Sequence, residues 1–390
     1  MTTANSLLDP RLRGLALSSS LFGGDIGGTL MKFVLTDPNG ENALELTSAT
    51  AKWIGNGGLP EALIDAMVQA GFRPQKGGLA GAGMREDDGS ITCTNATELG
   101  AIQPLEVESR TGMSVQTVND VVAFVLGTTR RDVCFKILRF RPSAFETRPD
   151  ATRTGVFITT GCNSARIRRI PALDGAWVPM DSESGWPGLQ IEHANLFEEG
   201  FIDMFGEPSG EVGGELMASM GSGVANWHSA LQMASPKALR WYLLLTGLTL
   251  PLRELRPGPN LIHAIEEAGK DVGPVFDTAA IAGDQYARMV CWAHGASIGA
   301  YLRSVLLHNR TDYSEGLWIN CPAFCREDVR RLYFEDTPLL ERLVSPNAVG
   351  QGKRWVDYLS RVPLILSTDP FTVPAGAAMF RGVQSVILGE

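Results

Sequence analysis

Residues 22–37 read Phe-Gly-Gly-Asp-Ile-Gly-Gly-Thr-Leu-Met-Lys-Phe-Val-Leu-Thr-Asp and place one acid, Asp25, two positions before a Gly27-Gly28-Thr29 turn. An alternating run from Lys32 to Leu35 follows, so the segment reads as strand, tight turn, strand. Glycines in such a turn let backbone N–H groups approach an anion with no Cβ in the way. Thr29 adds a hydroxyl donor. An aspartate beside a phosphate repels it unless a cation lies between them, so Asp25 suggests Mg2+ held through water. The spacing is neither the GxxxxGK[ST] loop nor the GxGxxG dinucleotide turn. It suits a hairpin that cradles a nucleoside triphosphate; the same residues also suit a plain hairpin turn.

These residues need elements to hold them. Residues 21–58 predict a hairpin and a third strand, and residues 59–72 carry helical apolar spacing with Pro60 near the start. Residues 77–84 predict a buried strand, Leu105–Thr111 a helix closed by Gly112, Val115–Val118 a strand, and Asp120–Gly127 a helix. The β-β-β-α-β-α-β-α order predicts an α/β domain whose sheet starts antiparallel and continues parallel. The polar stretch from Arg139 to Thr154 reads as a solvated excursion. Strand Gly155–Gly161, turn Cys162-Asn163-Ser164 and strand Ala165–Ile170 then echo the opening hairpin. Residues 213–310 are mainly helical by pattern, and Trp241–Leu252 reads as a buried helix. Leu317–Asn320 and Val362–Leu366 predict strands, and Pro374–Leu388 a closing helix.

Composition narrows the classes. The chain has 390 residues, 44% hydrophobic and 20% charged, which fits a globular protein of two domains. A net charge of −9 offers no global basic field for nucleic acid or an anionic membrane. The six cysteines are scattered, with only Cys321 and Cys325 close together, which fits reduced thiols rather than a disulfide scaffold or a zinc site. The opening residues lack a secretion-signal pattern, so a cytoplasmic location is expected. None of His193, His228, His263, His294 and His308 shows ligand spacing, and each reads as structural.

Three further segments join the first: Thr94-Asn95 after an Asp-Gly turn, Val118-Asn119-Asp120 before an apolar helix, and Thr368-Asp369-Pro370 before a small-residue helix. In this order they resemble the bacterial glucokinase family, within the hexokinase–actin–Hsp70-like ATPase superfamily. The resemblance runs from about residue 22 to the C-terminus and is thin between 205 and 310. It implies a two-domain actin-like ATPase (ribonuclease H-like) fold, with mixed sheets flanked by helices and a ligand cleft between the lobes. Residues 1–127 would form the small domain, with helix 374–390 packing back on it, and 128–373 the large one. The implied reaction is phosphorylation of a hexose, glucose first, by ATP with Mg2+.

Residue by residue, the resemblance implies that Asp25, Gly27, Gly28 and Thr29 form the first phosphate motif, with Asp25 holding the metal through water. Thr159, Thr160 and Gly161 match the second phosphate motif, and Asn320-Cys321-Pro322-Ala323 lies where the family carries its Gly-Gly adenosine motif. Asn95, Asn119, Glu183 and Glu215 match sugar contacts, and Asp120 the catalytic base. A sugar hydroxyl has a pKa far above 7, so a positioned carboxylate that accepts its proton speeds transfer. Asn119-Asp120 would also serve as a helix N-cap. A homodimer is implied by the resemblance alone.

The chain departs from the family at several points. Trp186 and Pro187 follow Glu183-Ser184-Gly185 where the family has histidine, with Trp186 available to stack on a sugar and His193 nearby. Asn163 and Ala165 replace glycines of the second turn, and Arg166 and Arg168 follow on one face, either toward phosphate or as an exposed basic edge. The adenosine segment has no glycine, and Pro322 offers no N–H. Two other readings follow: a non-catalytic relative that binds a sugar or nucleotide, and a kinase of another small metabolite such as pantothenate, whose eukaryotic-type kinases open similarly to Asp25–Lys32.

Overall fold

The computed structural model describes residues 21–36, 42–71, 73–139, 148–159, 162–173, 175–181, 257–268, 272–344 and 353–388. Three antiparallel strands open it: β1 (Leu21–Ile26), β2 (Leu30–Thr36) and β3 (Asn42–Ala49). Alternation along β2 sends Met31 and Phe33 into a core shared with Phe22 and Ile26. Helix α1 (Gly58–Ala70) buries Leu59, Ala62, Leu63, Ala66, Met67 and Ala70, a stripe at helical spacing, and ends on left-handed Gly71. Then come β4 (Lys76–Gly81), the short pair β5 (Ile91–Thr92) and β6 (Ala101–Ile102), α2 (Pro104–Thr111), β7 (Ser114–Asn119) and α3 (Asp120–Gly127). The sheet order is β3-β2-β1-β4-β7, with β1, β4 and β7 parallel, so the predicted change from antiparallel to parallel occurs at β1. The β5–β6 pair was not anticipated, because strands of two residues carry no periodicity.

The second sheet uses β8 (Phe135–Arg139), β9 (Thr152–Ile158), β10 (Cys162–Ile170) and β11 (Ala176–Asp181). Helices α4 (Pro259–Ala268), α5 (Val272–Ile281) and α6 (Gln285–Asn309) lead to β12 (Leu317–Asn320). Helices α7 (Pro322–Cys325), α8 (Glu327–Glu335), α9 (Leu339–Val344) and α10 (Lys353–Arg361) precede β13 (Leu364–Ser367), and α11 (Thr372–Leu388) follows it. The order is β11-β10-β9-β12-β13-β8, with β9, β12 and β13 parallel.

Three expectations need correction. Cys162, Asn163 and Ser164, expected as a turn, open β10 and pair with Ile158, Phe157 and Val156 of β9, so the bend lies earlier in the chain. The polar stretch from Arg139 to Thr154 is not all excursion: Arg139 closes β8, and Thr152–Thr154 belong to β9. The Arg139 guanidinium donates to the carbonyls of Leu359 (2.7 Å) and Val362 (2.9 Å), so a charged side chain serves here as a strut. The basic residues Arg166 and Arg168 lie on β10, which sits between β9 and β11 and is not an edge. The expected helices within 213–310 are seen from Pro259 to Asn309; Trp241–Leu252 lies outside the described residues.

Helix α3 carries the joint between the two sheets. Every residue from Val121 to Gly127 is buried, which suits a helix covered on all sides. Phe124 meets Phe157 of β9 with ring centroids 5.2 Å apart, and a side chain at Gly155 would strike Val125. On its other side α3 crosses α11 backbone to backbone: a Cβ at Gly376 would lie 1.7 Å from the Ala123 carbonyl oxygen, and one at Gly127 1.9 Å from that of Thr372. Helix α11 in turn rests on the first sheet at Gly23 and Gly78. Among the described residues no helix is long and apolar enough to cross a membrane.

The crossing gives the first prediction. Gly376→Ala must move backbone, so it should cost about 1–3 kcal/mol or more in urea unfolding. Gly258→Ala, with nothing within 4 Å of the new methyl, is the control. A Gly376→Ala protein as stable as this control would refute the close-packed crossing.

Candidate active site

The chemistry-bearing segments meet at the carboxyl ends of parallel strands. In the first sheet Ile26 pairs with Gly81 and Gly81 with Asn119, so the ends of β1, β4 and β7 lie side by side. Ligands in open α/β sheets bind outside such ends. The Gly27-Gly28-Thr29 turn leaves the end of β1, with Gly28 and Thr29 exposed. Thr50 holds the turn from behind: its hydroxyl donates to the Gly27 carbonyl (2.7 Å) and its N–H to that of Thr29 (3.0 Å). A Cβ at Gly28 would lie 2.1 Å from the Asn95 carbonyl oxygen, so the turn touches the Thr94-Asn95 segment directly. That segment is fastened by Thr94, whose N–H and hydroxyl both donate to Ala82.

Asp25 is half-buried, and burial pushes its carboxyl up to about 6 against the opposing pull of Lys32. Asp120 is the first residue of α3, where the helix dipole favours a negative charge. Its Oδ1 accepts from the N–H of Val121 at 2.9 Å. Within reach of both charges is Cys93, a buried thiol against Gly81. Burial first, then the charges of Asp120 and Asp25, push this thiol up to about 12. The charges of both carboxylates therefore reach this one thiol. No motif pointed to Cys93; only the pairing of Gly81 with Ile26 and Asn119 brings it there.

Asn119 takes the cap reading. Its Oδ1 accepts from the N–H groups of Val121 (3.0 Å) and Val122 (3.4 Å), and its amide donates to Gly83 (3.0 Å). The side chain is buried and fixes where α3 begins, hence where Asp120 stands.

The second sheet repeats the arrangement. Thr159 follows the end of β9, and Asn320 closes the neighbouring β12, paired with Phe157. Pro322 opens α7 immediately after. Thr160, Gly161, Glu183, Trp186, His193 and Glu215 lie outside the described residues. Asn163 turns its own Oδ1 onto the Ser164 N–H (2.8 Å). Arg168 is exposed and pairs with Asp150 at 3.0 Å, whose carboxyl it holds below the usual range. Among the described residues no three His, Cys, Asp or Glu side chains could together hold a metal. A lone half-buried carboxyl beside a glycine cradle suits Mg2+, which binds through one or two carboxylates, water and substrate phosphates.

A polar cluster under the Asn320–Pro322 turn escaped sequence reasoning. Asp277 of α5 is buried beside Cys291 of α6 (Sγ to Oδ1 4.0 Å), and Tyr333 of α8 bonds His294 at 2.9 Å. Burial pushes the Asp277 carboxyl up to about 7, opposed by a hydrogen bond from Tyr333 and by Arg326, with Asp328 adding to the rise. The only trace in sequence is one acid within the apolar helix Val272–Ile281.

No protein-family model matches the chain, and no curated protein matches it by sequence. Solved structures do match. A glucokinase from an Antarctic psychrotroph shares 17% identity, with a TM-score of 0.62 over 94% of this chain and 99% of that one. The fold is that of the ROK-family sugar kinases. Its members include a Streptomyces griseus glucokinase in complex with glucose and AMPPNP (16% identity, TM-score 0.53, 93% of this chain and 99% of that one). They also include a ROK-family transcriptional regulator, a homologue of the E. coli MLC protein (14% identity, TM-score 0.56, 96% of this chain and 82% of that one). The ROK sugar-kinase fold, two groups of mixed sheet flanked by helices, agrees with the architecture expected from sequence.

The Asp277 cluster predicts a pH slope. The folded protein keeps the Asp277 proton between the ordinary 3.8 and about 7, where the unfolded chain has lost it. Its contribution to stability is greatest below about 4, falls as pH rises toward 7, and is level above. Asp277→Asn should flatten urea-midpoint dependence between pH 5 and 7.5; an unchanged slope would count against the buried acid.

Proposed function

We infer that the chain is a sugar kinase that transfers the terminal phosphoryl group of ATP to the primary hydroxyl of a hexose, with glucose the first candidate. The observation that carries this is the side-by-side ends of β1, β4 and β7, which bring Asp25 and the Asn119-Asp120 pair to one edge of the sheet, with Gly28 against Asn95. A triphosphate turn, a carboxylate at a helix start and a hydroxyl-binding segment then share one crevice.

In this reading the backbone of Gly27, Gly28 and Thr29, with Thr159, Thr160 and Gly161 opposite, binds the phosphates, and Asn320 lies at the adenosine. Asp25 holds Mg2+ through water, and the ion supplies charge neutralisation on the transferred group. Asn95, Asn119, Glu183 and Glu215 bind sugar hydroxyls, while Asn119 also fixes the start of α3. Asp120 accepts the proton of the attacking hydroxyl through whichever carboxylate oxygen faces it. Residues 1–127 with the C-terminal helix would form one lobe and 128–373 the other, and their closure would exclude water. A homodimer in the cytoplasm fits this reading.

A second reading, a binding protein without turnover, is favoured by the adenosine turn. Pro322, with no N–H, starts α7 where a glycine pair would leave room and donors.

Release of ADP across a panel of hexoses separates the two. Turnover on any hexose supports the kinase; a ligand-induced thermal shift without turnover supports the binding protein. In an active protein Asp120→Ala should lower turnover by about 10²–10⁴ while nucleotide binding survives. Turnover like that of the parent would remove Asp120 from the role.

A further inference from the structure

Thr50, the residue after β3, belongs to none of the motifs, yet two of its polar groups reach back to the opening turn. Its hydroxyl donates to the Gly27 carbonyl (2.7 Å) and its N–H to the Thr29 carbonyl (3.0 Å). Thr50 is itself held. It opens a single helical turn, Thr50–Lys52, and its carbonyl accepts from the N–H of Trp53 at 3.0 Å. Trp53 is buried in the first core, and its indole N–H donates to the Ser48 hydroxyl at 2.8 Å. The support behind the turn is thus fastened to β3 on one side and to packed apolar side chains on the other.

The direction of these bonds sets the backbone. In a trans peptide the carbonyl and the next N–H point to opposite sides. A Gly27 carbonyl held by Thr50 therefore aims the Gly28 N–H away from Thr50. Gly28 and Thr29 are exposed, so the turn is backed by Thr50 and open on its far side. Glycine loses more conformational freedom on ordering than any other residue. A two-glycine turn ordered only when an anion arrives would subtract that cost from the affinity. Carbonyls fixed beforehand remove part of the cost.

The geometry points to Thr50 as a positioning residue for the phosphate turn: its hydroxyl and N–H hold the Gly27-Gly28-Thr29 backbone in the shape that receives the phosphates of the donor nucleotide. Thr50 acts through the turn and not on the phosphates, being 1% exposed behind it. This rests on the nucleotide-binding part of the proposed function.

The experiment measures binding, not turnover. Thr50→Val keeps the side-chain shape and the backbone N–H and removes only the hydroxyl; Thr50→Ser keeps the hydroxyl. Affinities of the full-length protein and both variants for ATP and adenosine, with Mg2+ present, are compared by calorimetry where urea unfolding shows each to be folded. One lost hydrogen bond in the support should weaken ATP by about 10-fold in Thr50→Val and leave adenosine unchanged, with Thr50→Ser close to the parent. A lower urea midpoint for Thr50→Val with ATP affinity like that of the parent, or equal losses for ATP and adenosine, overturns the role. Amide hydrogen exchange in the parent protein gives a measurement independent of any variant. The Thr50 N–H should be protected before nucleotide is added, while the Gly28 N–H should gain protection with ATP and Mg2+ and none with adenosine. Bound ATP with unaltered exchange at Gly28, or an unprotected Thr50 amide in the free protein, overturns the role of Thr50 alone. Failure of the parent protein to bind ATP overturns the nucleotide site and this role with it.

Discussion

The architecture depends on two helices that cross without side chains between them. Gly127 and Gly376 bring the backbones of α3 and α11 into contact, and Gly23 and Gly78 let α11 settle directly on the first sheet. The cluster that results draws on both sheets at once: Ala80 and Val118 from the first, Phe157, Ile167 and Trp318 from the second, with Phe124 and Ala377 between them. Close-packed interiors transmit displacement rather than absorb it. The placement of Asp120, one turn from the crossing, is therefore tied to the second sheet as well as to its own strand.

Charges reinforce the same joint. Arg130, just beyond α3, is buried and pairs with Asp369 before α11, and Asp369 also accepts the N–H of Phe371 at 2.8 Å. Arg153 of β9 donates to the Thr128 carbonyl at 2.6 Å and to Glu315 at 2.6 Å, with its guanidinium over Trp177 and Trp318. Removing Glu315 would strip the half-buried Arg153 of its carboxylate partner, which costs more than the pair contributes when intact, while Arg130 keeps Asp132 at 3.0 Å beside Asp369. These arginines fix how the two helices leave the strands. At the strand ends the charges of Asp25 and Asp120 help to keep the buried Cys93 thiol protonated, so it adds no third negative charge.

The opening hairpin, α1, β4, β7, α3 and the closing helix were legible because each carries a local signal. These are a Gly-Gly turn between alternating runs, apolar spacing of three and four, Gly71 and Gly112 at helix ends, and an Asn-Asp pair at a helix start. Strand β8 was missed, since Phe135–Arg139 lies at a sheet edge with Phe135 and Ile137 exposed and no clean alternation. Helices α8 to α10 were passed over, being short, with Thr337-Pro338 between α8 and α9. The dual reading of Asn119, sugar contact or cap, could not be resolved by type and spacing alone, because the same amide suits both.

By itself the sequence determined which residues are able to do chemistry and the order in which the strands bearing them are laid down. Turn glycines, caps and periodicity act within a few residues, and the chain states them directly. Tertiary structure alone decided which of those residues face one another. Asp25 and Asp120 are 95 positions apart in the chain (120 less 25), yet both bear on Cys93 because β4 inserts between β1 and β7. It also decided that Asp277 would be buried among Cys291, Tyr333 and Cys321, since desolvation and charge depend on neighbours brought together by packing rather than by the local chain.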